Sequence, residues 1–175
     1  MKIETKIPFY NIVNMFLTGL VFVGVNFLIF SNHLGDLGEV LNIGNIGLET
    51  IIVLSFLALT YEVGYILFRI GATVVEPILK ATKLVEFGSY ADFNDCRKEN
   101  PFLDTLSREY AAARTQIATF LILMITALVM FQWLIFGLSL VIITIFILTA
   151  RTHSKKINDV VKKFKTTQDG VIEEQ

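Results

Sequence analysis

Charge is what this sequence lacks over its longest stretch: from Gln116 to Ala150 there is no Asp, Glu, Lys or Arg, with Arg114 before the run and Arg151 after it. An apolar run of that length excludes an ordinary soluble segment. One helix over it would stand about 50 Å tall against roughly 30 Å of hydrocarbon. Two short spans joined by a tight turn fit instead, and Gln132, Trp133 and Gly137 lie near the midpoint. Cysteine is nearly absent as well. The single Cys96 excludes an internal disulfide, and its setting among Lys, Arg, Asp and Glu suits a reducing cytosol.

Catalytic and ligating patterns are missing too. There is no HExxH, no pair of aspartates within the spans, no phosphate-binding glycine loop and no Cys/His cluster. The two histidines, His33 and His153, fall on opposite sides of the bilayer in the topology derived below, so they cannot serve one nucleophile. Gly137-Leu138-Ser139 is half of a hydrolase-like signature and reads as a small-residue packing site. The expectation is a non-catalytic chain with no cofactor and no metal.

What is present is apolar. Hydrophobic residues make up 54% of the 175, and Phe alone occurs 15 times. Mean hydropathy is +0.63. Both values lie above the norm for soluble domains, while the net charge of -1 carries little meaning when charges are segregated by topology. These features predict an all-α polytopic membrane protein of four transmembrane helices. Its spans fall at about 8–30, 47–69, 115–131 and 134–150, in a single membrane domain covering the chain.

Lysine and arginine set the orientation. Lys2 and Lys6 precede the first span, while Ser31 to Glu49 holds Asp36, Glu39 and Glu49 but no Lys or Arg. Arg69, Lys80, Lys83, Arg97, Lys98, Arg108 and Arg114 crowd the stretch between the second and third spans. Every basic residue then lies on one face, which places both termini in the cytoplasm of a bacterial inner membrane. The first span is too long for a cleavable signal peptide and is expected to be retained.

In the external loop, 31–46, Leu34, Leu37 and Leu41 suit a short helix resting on lipid. His33, Asp36 and Glu39 share a helical face there. Only His33 is a good transition-metal ligand, so an acidic loop sensing the envelope is favoured over an ion site. The cytoplasmic region, 70–114, reads as helical. Glu76, Lys80 and Lys83 have helical spacing, and Pro77 marks a kink or a helix start. Ser89 and Asp92 have capping-box spacing, Asn100-Pro101 suits a cap, and the helix after it is expected to run unbroken into the third span. Within the tail, 151–175, Ile157, Val160, Val161 and Phe164 form an apolar face ringed by Lys155, Lys156, Lys162, Lys163 and Lys165. Such a helix suits anionic lipid or a protein partner rather than nucleic acid, and TTQDGVIEEQ beyond it is expected to be disordered.

Polar groups inside the spans are the remaining candidates. Ser55, Glu62 and Arg69 recur every seven residues on one face of the second span, and an ion pair of Glu62 with Arg114, within or between subunits, would offset their desolvation. Asn11, Asn14 and Thr18 form a second stripe, for helix packing or for lining a narrow pathway. These stripes predict a homo-oligomer in membrane lipid. Residue chemistry alone leaves a sensor or anchor, a small oligomeric channel and a passive scaffold open.

The span IPFYNIVNMFLTGLVFVGVNF, the polar external loop, the second span, NPFLDTLSREYAAARTQIATF and the closing hairpin together resemble the membrane subunit of the bacterial Kiwa anti-phage systems. The resemblance covers nearly the whole chain and rests on no catalytic signature. It implies an inner-membrane homotetramer that detects phage at the envelope and works with a separate cytosolic DNA-binding subunit.

Overall fold

The computed structural model describes residues 9–30 and 46–173, and no strand occurs among them. The helices are α1 Phe9–Phe30, α2 Ile46–Ile70, α3 Glu76–Ala81, α4 Tyr90–Glu99, α5 Phe102–Val129 and α6 Trp133–Glu173, with a π-helical turn at Gly71–Val75 between α2 and α3. Four stretches are long and apolar enough to cross a membrane: Tyr10–Phe30, Gly47–Ala81, Phe102–Val129 and Trp133–Thr167. The protein is an all-α polytopic membrane protein.

Two boundaries differ from the sequence reading, and a third, at Pro77, falls where a kink or helix start is expected. Pro77 has no N–H to give to the carbonyl four residues back. Before it the ladder slips by one residue, with Glu76 donating to the Gly71 carbonyl, and α3 starts there with Pro77 in its first turn. The α5/α6 turn is Met130–Gln132, where Phe131 stands at φ 56°. Gln132 N–H bonds Ala127 O at 2.8 Å and Phe131 N–H bonds Leu128 O at 3.2 Å, the two bonds that close a helix over a left-handed residue. Gly137 is therefore not part of the turn; it lies inside α6 facing open space, whereas Ser139 is buried. Finally, the basic tail is no separate helix, and its end is not irregular: α6 continues to Glu173.

Packing between α1 and α2 is set by two glycines. A Cβ on Gly19 would stand 1.8 Å from Thr60 O, and one on Gly64 would stand 1.8 Å from Met15 O. The pairing of earlier with later residues makes the crossing antiparallel, and only hydrogen side chains permit it. Gly71 holds the next approach, where a Cβ would lie 3.1 Å from Arg114 O. The buried apolar cluster starts within the third and fourth spans, at Ile117, Ala118 and Ile143, and extends past them. Val75, Leu79, Val85, Cys96, Leu103, Leu106 and Tyr110 meet Ile157 and Val161 at the lysine- and arginine-rich end. Meanwhile Val53, Leu54, Leu57, Leu59, Leu138, Leu140, Val141 and Ile145 are exposed, as lipid-facing or partner-facing side chains are.

Candidate functional site

Arg114 occupies the point where the spans meet this core. Its carbonyl stands beside Gly71, so along the α2 direction it is about 13 Å past Glu62 but only about 7 Å short of Glu76. Level decides the partner. Arg114 Nη1 donates to Glu76 Oε2, and Lys80 Nζ approaches Glu76 Oε1 at 2.7 Å. The expected pair with Glu62 is not formed within the chain. Glu62 is exposed and makes no hydrogen bond or ion pair among the described residues. The guanidinium carbon of Arg114 also lies 5.6 Å from the Phe68 ring centre and 5.8 Å from that of Tyr110.

Beside this knot opens a cleft of about 380 Å³, walled by α3, the 82–89 turn, α4, α5 and α6. Phe87 packs edge-on to Tyr110 at 5.0 Å between ring centres, and Lys80 Nζ sits 5.3 Å from the Phe87 centroid. Two donors along the wall have no partner: the Tyr110 hydroxyl and Arg114 Nε are buried and unbonded. The turn forming the cleft's lip is clamped to α6. Ser154 Oγ and Asn158 Nδ2 both donate to Glu86 O, at 2.6 and 2.7 Å, and Gly88 N–H donates to Asn158 Oδ1 at 3.0 Å. On the far side His153 Nδ1 lies 3.2 Å from Glu109 Oε2 but without hydrogen-bond geometry, so the contact is charge proximity only.

The other candidate residues disperse. Arg69 is exposed and folds back on Tyr65, its Nη2 donating to the phenol oxygen at 2.7 Å. Ser55, Glu62 and Arg69 are all exposed, so the seven-residue face of α2 is left uncovered by the described residues. Thr18 is fully buried and accepts from Gln116 Nε2 at 2.9 Å, which ties α1 to α5 and makes Thr18 a packing hydroxyl. Asn11 and Asn14 are half-buried. His33, Asp36 and Glu39 lie outside the described residues, and among those described no three His, Cys, Asp or Glu gather as metal ligands.

The tail requires a correction. Ile157 and Val161 are buried in the core and Val160 and Phe164 pack against it, so the apolar face is consumed by the protein's own bundle instead of resting on lipid. Lys155, Lys156, Lys162 and Lys163 remain exposed, and Lys165 reaches Asp92 at 3.4 Å. Sequence reasoning missed Tyr110, Ser154 and Asn158, and gave Glu76 and Lys80 no site role. A signal existed in part: Ser154 and Asn158 are one turn apart on the side that carries Ile157 and Val161.

Comparison of the chain with protein-family models, with curated proteins and with solved structures returns no match.

Proposed function

We propose that this protein is a non-catalytic inner-membrane sensor and anchor, with both termini cytoplasmic, that passes an event at the envelope to a soluble partner. The observation that carries this reading is the position of the core. It runs from within the spans into their helical continuations, so a change in span packing moves a folded surface at the basic end. Arg114, Glu76 and Lys80 sit at the joint and tie the second span's continuation to α5. Exposed lysines on α6 supply a charged face for docking. Read with the resemblance to Kiwa membrane subunits, the event is phage infection and the partner is a cytosolic DNA-binding subunit.

Oligomerisation belongs to the same reading. A carboxylate facing hydrocarbon is costly, and Glu62 shares its uncovered face with Ser55 and Arg69, which suits a second copy of the chain. The test is affinity capture of the detergent-solubilised protein followed by sizing with mass determination. Stoichiometric co-elution of a DNA-binding protein, weakened by reversing the charges of Lys155, Lys156, Lys162 and Lys163, supports the proposal. A homo-oligomer that captures nothing, yet conducts ions in vesicles in a manner sensitive to Asn11 and Asn14, replaces it with the channel.

A further inference from the structure

The cleft beside Arg114 has the volume of a small-molecule site, near the lower end of the usual range of about 300–1,000 Å³. Its wall carries two cations, Arg114 and Lys80, for the one carboxylate of Glu76, whose two oxygens they already occupy. One positive charge is left over. Arg114 Nε can only donate, and the Tyr110 hydroxyl is buried with no partner although the residue is just 5% exposed. Leaving such groups unbonded costs about 1–3 kcal/mol each, so a small side-chain shift that admits an acceptor from the cleft to these closed-off donors is the economical solution. At the same opening α4 begins. Its N-cap Ser89 makes no side-chain cap bond, and Ser89 and Tyr90 line the cleft, with Asp92 of the same turn turned to Lys165. The rest of the wall is apolar: Phe87, Phe93, Ile157 and Val161.

We propose that this cleft binds a phosphate-bearing amphipathic molecule, its phosphate beside Arg114, Lys80 and Tyr110 and its carbon body against Phe87, Phe93, Ile157 and Val161. Phosphate fits because it presents several acceptor oxygens and a full negative charge to donors that are otherwise unmatched. Two sources share this chemistry. An inner-leaflet phospholipid offers its headgroup at the depth where α5 enters its span, and a soluble nucleotide offers a phosphate with a flat base for the aromatic wall.

The test uses the full-length protein in neutral detergent with three probes: ATP, inorganic phosphate and phosphatidylglycerol. Thermal shift and calorimetry read the first two, and native mass spectrometry reads retained lipid. Tyr110→Phe removes only the unbonded hydroxyl, so the unliganded fold melts at the wild-type temperature or slightly above it; Lys80→Gln is the second variant, at an exposed position. Binding of ATP or phosphate that weakens about tenfold in Tyr110→Phe and falls in Lys80→Gln identifies a soluble ligand. Retained phosphatidylglycerol that both variants lose identifies the headgroup. If wild-type protein holds none of the three, or if both variants hold them as tightly as wild type, the proposal is overturned. Neither readout involves signalling or a partner, so its failure is separable from failure of the sensor reading.

Discussion

At the scale of single residues, Arg114 shows that depth selects an ion-pair partner more strictly than charge does. Glu62 and Glu76 offer the same carboxylate, but only Glu76 comes level with the guanidinium where α5 leans on Gly71. Glu76→Gln leaves a mostly buried guanidinium, 16% exposed, facing a neutral amide. A fully buried pair would lose about 3–5 kcal/mol; with partial solvent access the expected loss is about 2 kcal/mol, read as a lower midpoint of unfolding in detergent. Glu62→Gln changes that midpoint by less than about 0.5 kcal/mol, and its effect falls on assembly instead. The reverse ranking would return the relay to Glu62. Cys96 makes a second residue-level case. Burial, and secondarily the nearby Glu99 charge, push its thiol above the ordinary range, and the side chain has no exposed surface. Maleimide should label it slowly at pH 8.5, where a free thiol is about half ionised, and rapidly once the chain is unfolded; fast labelling of the native protein would contradict the burial.

Helix ends carry the lessons of the next scale. α3 closes over Lys83 at φ 55°, with Lys83 N–H on Lys80 O at 3.0 Å and Leu84 N–H on Leu79 O at 3.1 Å, the same closure that α5 makes over Phe131. A left-handed conformation costs an L-residue roughly 1–2 kcal/mol and glycine almost nothing, and part of the gain is lost to the greater freedom of an unfolded glycine. Lys83→Gly should therefore raise stability by up to about 1 kcal/mol, and Lys83→Val should lower it, in equilibrium unfolding of the detergent-solubilised protein. These closures explain which elements were legible in the sequence. The four spans, the helix that begins after Asn100 and runs into the third span, and the break near Pro77 were visible because charge gaps and proline act locally. The left-handed closures at Lys83 and Phe131 were not, although the hairpin turn itself was legible near Gln132, because neither position holds the glycine or asparagine that normally marks such a closure. Nor was the cleft: Glu76, Tyr110 and Asn158 are brought together only by the packing of three helices. The same holds for the Glu86 clamp, so Ser154→Ala with Asn158→Ala, which leaves that carbonyl without either donor, should cost about 2 kcal/mol and speed hydrogen exchange at Gly88.

Across the whole molecule the governing fact is continuity. α6 is one helix of 41 residues, about 60 Å long, whose first half presents Leu138, Leu140, Val141 and Ile145 outward and whose second half buries Ile157 and Val161 in the core. A rigid rod of this kind converts a tilt or rotation of the span into displacement of the clamp residues Ser154 and Asn158, and with them the lip of the cleft. Two flexible joints would not. Arg151 and Thr152 are exposed at the boundary between the halves, so replacing both with glycine removes no buried contact while weakening the rod by about 1 kcal/mol of helix propensity. Membrane insertion and subunit number should stay as in wild type, because the α1–α2 glycine crossing, the Thr18–Gln116 bond and the α5/α6 turn are untouched. Response to an envelope stimulus, measured as partner release or recruitment in cells, should fall severalfold, and a single alanine pair at the same positions should restore it. If the diglycine variant responds like wild type, the signal does not travel along α6. The remaining rigid route is then the α2–α3 continuation through the Gly71–Val75 turn, where the slipped ladder beside Arg114 offers a hinge instead of a rod.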